Sequence, residues 1–80
     1  MSKAEKILQR LLAKPKDFSY SELKTVLALF GYTEEQGAGS RVCFKTSNHK
    51  IKLHKPHPGN ILKQYQLDLI IEELKKQRLI

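Results

Sequence analysis

Between residues 41 and 54 apolar and charged side chains alternate almost one for one, and that alternation limits the fold more than any other feature of the chain. From Arg41 to Thr46, Val42 and Phe44 fall on one side of a strand and Arg41, Cys43 and Lys45 on the other. From Lys50 to His54, Ile51 and Leu53 fall on one side and Lys50, Lys52 and His54 on the other. Thr46-Ser47-Asn48-His49 reads as the hairpin turn between them. The second strand ends before Pro56 and Pro58, which cannot donate ladder hydrogen bonds. A shorter edge strand is expected over Tyr32 to Gln36, followed by a Gly37-Ala38-Gly39-Ser40 turn.

The remaining segments carry helical spacing. Ile7, Leu8, Leu11 and Leu12 form one apolar stripe in a helix from Lys3 to about Ala13, which Pro15 terminates. Ser19 and Glu22 stand in a capping-box arrangement at the start of a second helix, whose stripe is Leu23, Val26, Leu27 and Phe30 and whose closing residue is Gly31. A last helix runs from about Gln64 to Gln77 with Leu67, Ile70, Ile71 and Leu74 as its buried side. The order is α-α-β-β-β-α, an α+β chain. Three short strands in 80 residues cannot bury both faces of a sheet, so the helices are expected on one face of a three-stranded antiparallel sheet and solvent on the other. This resembles the double-stranded-RNA-binding fold with an extra helix in front. The expected organisation is one domain over 1–80, with 3–13 as the added helix and 19–80 as the core.

With one face open, the alternation sorts function. Arg41, Lys45, Lys50, Lys52 and His54 would share that face, in a chain of 15 Lys plus Arg against 8 Asp plus Glu. Like charges so close repel one another, and a phosphodiester backbone is a ligand that would relieve the repulsion. A solvated face whose lysines deter edge-to-edge association is the plain alternative. The Gly39-Ser40 turn ahead of these strands offers backbone amides to an anion, although an ordinary turn has the same composition. Lys55 extends the basic track. His54 and His57 flank a proline-stiffened segment from which both imidazoles would reach one cleft; such groups move protons at neutral pH. His49, in the hairpin turn, is expected to be solvated, and Glu34-Glu35 to be ordinary solvent-facing charges.

Several classes are disfavoured. The apolar runs are too short to span a membrane, and Met1 to Lys6 lacks the pattern of a signal peptide, so a cytoplasmic chain is expected. A single cysteine, Cys43, excludes an internal disulfide and makes a zinc site with His49, His54 and His57 unexpected. No cofactor is expected. Walker and nucleophile-elbow patterns are absent, and no convincing carboxylate pair is evident.

From the Ser19-to-Phe30 helix and Gly31-Tyr32 to the last helix, the chain resembles the HicA family of bacterial toxins, most specifically at Gly39-Ser40 and at His57-Pro58-Gly59-Asn60-Ile61-Leu62-Lys63. The resemblance implies a double-stranded-RNA-binding type of fold, cleavage of mRNA without a ribosome, and silencing by a HicB antitoxin. The family pattern has a histidine after Gly-Ser as its main catalytic residue; this chain has Arg41, a poor proton acceptor, so that role is not carried over. Three readings stand. His54 or His57 transfers the protons; or Arg41, Lys45 and Lys52 act with weak base assistance; or the chain binds RNA or its partner without cutting.

Overall fold

The computed structural model describes residues 2–56 and 59–80. Helix α1 covers Lys3–Leu12, α2 Tyr20–Leu29 and α3 Gln64–Lys76, with β1 (Thr33–Gln36), β2 (Arg41–Lys45) and β3 (Lys50–His54) between the second and third helices. The strands form one antiparallel sheet in the order β1-β2-β3. The α+β class, the element order and the three-stranded sheet expected from the sequence are all observed.

Local chemistry accounts for where each helix starts and stops. Ser19 caps α2 by accepting the Glu22 N–H at 3.1 Å, and the Glu22 carboxylate accepts the Ser19 N–H at 3.0 Å, so two otherwise free donors are satisfied. Ser2 and Glu5 repeat the arrangement at the head of α1. At the other end of α2, Gly31 adopts φ +86°, a left-handed geometry that costs a side chain but not glycine. The Gly31 N–H then reaches the Ala28 carbonyl at 3.0 Å and the Tyr32 N–H reaches that of Leu27 at 2.9 Å, which closes the helix and aims the chain into β1.

One apolar cluster holds the layers together. Val42, Phe44, Ile51 and Leu53 from the inner side of the sheet meet Leu23, Val26 and Leu27 of α2 and Leu67, Ile70, Ile71 and Leu74 of α3. Ile7 and Leu11 of α1 belong to the same cluster, and Leu11 and Phe18 are fully buried. Outside the core, Arg10 ties α1 to the start of α2 by pairing with Glu22 at 2.9 Å and Asp17 at 3.2 Å. Burial pushes the Glu22 carboxyl up, but the Arg10 guanidinium and the Ser19 cap outweigh it and the net shift is downward.

On the helix side of β1, Glu34 accepts a hydrogen bond from the Tyr20 hydroxyl and lies 3.5 Å from the Lys24 ammonium. The Tyr20 bond is the chief reason its carboxyl is held below the usual range, with Lys24 and Lys55 adding to the effect against partial burial; Tyr20, desolvated and facing that carboxylate, is pushed up.

The fully buried position of Leu11 predicts that Leu11→Ala lowers unfolding free energy by about 2–5 kcal/mol in urea titration. A loss below about 0.5 kcal/mol would mean that α1 is not part of the cooperative unit. Glu34, an acid held below its ordinary value, contributes stability that is complete above the unfolded carboxyl range near about 4.3 and is lost as pH falls through its folded value. The stability gap between wild type and Glu34→Gln should therefore narrow as pH drops from about 6 to 3; a gap independent of pH would contradict this.

Candidate nucleic-acid interface

Cross-strand register decides which side chains share the open face. Arg41 stands opposite His54, Cys43 opposite Lys52 and Lys45 opposite Lys50. Their inward-facing neighbours pair as Val42 with Leu53 and Phe44 with Ile51, all buried. Because successive side chains point to opposite sides, burying those four fixes Arg41, Lys45, Lys50, Lys52 and His54 on the solvent side together. Arg41, Lys50, Lys52 and His54 are exposed, while Cys43 and Lys45 are half-buried between neighbours.

The face carries one acid that the sequence pattern does not reveal. Glu35 of β1 stands opposite Cys43, on the same side, and its carboxylate lies 2.6 Å from the Lys45 ammonium. This ion pair is the main reason the Lys45 ammonium is raised above its usual range. Glu34, the adjacent residue, points the other way into the Tyr20 cluster. Two neighbouring glutamates thus serve opposite sides of one strand. The face is basic overall, with its charge concentrated on β2 and β3 and an acid at the β1 edge.

An open depression of about 520 Å³ lies in this face, lined by Glu35, Arg41, Cys43, Lys52 and His54 together with Gln36 and Gly37. The turn beside it is tight. The Gly37 N–H donates to the Arg41 carbonyl at 2.9 Å, the Arg41 N–H donates to that of Ala38 at 3.2 Å, and Gly39 takes φ +64° to reverse the chain. Ser40 is joined to the far strand twice. Its carbonyl accepts the Lys55 N–H at 2.8 Å, and its Oγ lies 3.4 Å from Nδ1 of His54. Behind His54, the buried Gln66 amide donates to the His54 carbonyl at 2.9 Å, while its oxygen accepts the Lys63 N–H at 3.0 Å. The end of β3 is therefore pinned to the head of α3, and Nδ1 is the ring nitrogen of His54 that meets Ser40.

Other candidates sit elsewhere. Lys55 continues the inward parity of Ile51 and Leu53, and its ammonium lies 5.9 Å from the centre of the Tyr20 ring on the helix side, apart from the open face. His57 lies outside the described residues. His49 departs from its expected solvated state. Its side chain is only 13% exposed, with Nδ1 2.6 Å from the Tyr32 hydroxyl, Nε2 3.7 Å from Glu73 and its ring edge-on to Tyr32. It ties the β2–β3 turn to α3, at the far end of the sheet from His54. Among the described residues no group of His, Cys, Asp and Glu is placed to hold a metal ion, and no helix is long and apolar enough to cross a membrane.

Chemically, the depression offers two fixed cations for a phosphate, an imidazole and a carboxylate within one open surface. A search of curated proteins and of solved structures finds no match. The sequence model of the family described as HicA toxin of bacterial toxin-antitoxin matches residues 20–76, from the first residue of α2 to the last of α3, and so includes the whole sheet. Spanning well over half of the sequence and all of the elements that build the basic face, the match shows that this chain belongs to the HicA toxin family.

Proposed function

We propose that this toxin acts as a metal-independent endoribonuclease on mRNA and is neutralised by a HicB-like antitoxin in the cytoplasm. The observation that carries the reading is the one-sided placement of Arg41, Lys45, Lys50, Lys52 and His54 on an uncovered sheet. Directly opposed like charges such as Lys45 and Lys50 destabilise a sheet unless something answers them, and among the described residues only Lys45 of that face has an acid paired with it. An RNA strand lying across β2 and β3 answers the rest.

In this reading Arg41 and Lys52 grip the phosphate in the depression and stabilise the charge that develops on it, with Gly39 and Ser40 admitting the backbone at the turn. Lys45 and Lys50, about 14 Å along the strands from Arg41, guide the flanking chain. His54 transfers a proton, and His57 is its sequence-based alternative. Lys55, being on the helix side, contributes to the general field and not to the grip.

The second reading is a non-catalytic or catalytically impaired RNA-binding protein. Arg41 favours it, since the residue at the strand start, where the family resemblance leads one to expect a histidine, cannot serve as a base at neutral pH.

Incubating the purified protein with mRNA in EDTA should yield discrete fragments. His54→Ala should slow cleavage by about 10²–10⁴-fold, and Arg41→Ala should weaken both binding and rate. Bound but intact RNA would establish the second reading instead. Binding to a 2′-deoxy strand should weaken with salt at a slope of about −2 to −3 in log K against log salt, as three or four cations displace counterions. A slope near zero would remove the sheet face as the binding surface. Growth arrest on expression, relieved by the product of an adjacent gene encoding an acidic HicB-like protein, is the expected result for the antitoxin partnership.

A further inference from the structure

We propose that Glu35 is the general base and His54 the general acid of the cleavage step, a constellation that needs no histidine at position 41. This rests on the nuclease reading above and deepens it. The two side chains approach the depression from opposite edges of the sheet. Glu35 comes from β1 and His54 from β3, with Arg41 and Cys43 of β2 between them and Lys52 beside His54 on β3. Two strand spacings set the edges about 10 Å apart. Both side chains line the one open depression of about 520 Å³, space enough for a phosphodiester.

The groups have the properties the step requires. The charged groups facing Glu35 are Lys45 across the strand pair, which holds the carboxylate at 2.6 Å, and Lys52 and Arg41 beyond Cys43. Those facing His54 are Arg41 opposite and Lys52 two residues earlier on the same strand, with the Ser40 hydroxyl at Nδ1. Among the described residues no ion pair joins a helix side chain to Glu35 or His54. With Nδ1 3.4 Å from the Ser40 hydroxyl, Nε2 is the ring nitrogen through which His54 would pass a proton to the leaving group. The Gln66 bond to the His54 carbonyl keeps that strand end in register.

The step balances without a co-reactant. The ribose 2′-oxygen attacks phosphorus and forms the new P–O bond as its proton passes to the Glu35 carboxylate. The bond from phosphorus to the 5′-oxygen breaks, and that oxygen takes the Nε2 proton of His54. Arg41 and Lys52 stabilise the added negative charge on the non-bridging oxygens. One product ends in a 2′,3′-cyclic phosphate and the other in a 5′-hydroxyl. Exchange with solvent restores the carboxylate and the imidazolium.

The decisive experiment compares wild type, Glu35→Gln, Glu35→Asp and His57→Ala on a single-stranded RNA, measuring cleavage against pH and, separately, affinity for its 2′-deoxy counterpart. Wild type should show a bell-shaped profile and leave cyclic phosphate ends. Glu35→Gln should lose about 10²-fold or more in rate and the whole of the rising limb. Its affinity should be unchanged or higher, because an anion has left the face and Lys45 has been released. Glu35→Asp should retain the rising limb at reduced rate, and its carboxylate distinguishes chemistry from misfolding. Wild-type cleavage with a Glu35→Gln rate within about threefold, or with the rising limb lost in His57→Ala in its place, would overturn the assignment of Glu35 alone. RNA bound by wild type yet never cleaved would overturn the nuclease reading and this step with it.

Discussion

The pairing of β2 with β3 is the constraint on which the molecule depends. Val42 against Leu53 and Phe44 against Ile51 are the inward pairs, and the three helices close over them as one apolar cluster. A one-residue slip of either strand would expose its two inward apolar residues, Val42 and Phe44 or Ile51 and Leu53, and turn its own charged residues toward the core, so the register is fixed by a large difference in burial. The basic face is thus a consequence of core formation. Hydrophobic packing on one side arranges the charges on the other, and no separate interaction is needed to collect them.

How legible this was varies with the local signal. The α2 boundaries were visible because Ser19, Glu22 and Gly31 each satisfy or release a specific backbone group, and the β2–β3 parity was visible because four apolar residues mark the inner side. β1 is different. Thr33-Glu34-Glu35-Gln36 has no apolar alternation, so nothing in its own residues says which glutamate faces outward. The answer comes from the turn: with Gly37 paired to Arg41 and three residues reversing the chain, Glu35 must oppose Cys43. Counting back through that turn would have found the acid on the open face. The burial of His49 is not legible in its neighbours for a related reason. Its partners Tyr32 and Glu73 lie 17 and 24 residues away, and turn chemistry reports only on neighbours. Gln66 shows the same limit, since a glutamine among apolar helical positions reveals its role only when both amide partners are seen.

The two glutamates of β1 show how one short strand divides its work. Glu34, turned inward, is occupied by Tyr20 and Lys24 and helps seat the strand on α2. Glu35, turned outward, pairs with Lys45, and among the described residues Arg41, Lys50 and Lys52 have no ion-pair partner. The charge of that face is therefore graded from the acidic edge at β1 to the basic edge at β3. The Ser40–His54 and Gln66–His54 contacts hold the β3 edge in place against the rest of the fold.

The central claim is that the open sheet face receives RNA. It is tested most directly by following backbone amide resonances while a 2′-O-methyl RNA strand, which cannot be cleaved through its 2′-oxygen, is titrated into the protein. The account predicts that the largest shifts fall on Glu35, the Gly39-Ser40 turn, Arg41, Cys43, Lys52 and His54, with little change along α1 or the outer side of α3. Shifts centred on those helices, with the strands unmoved, would contradict it.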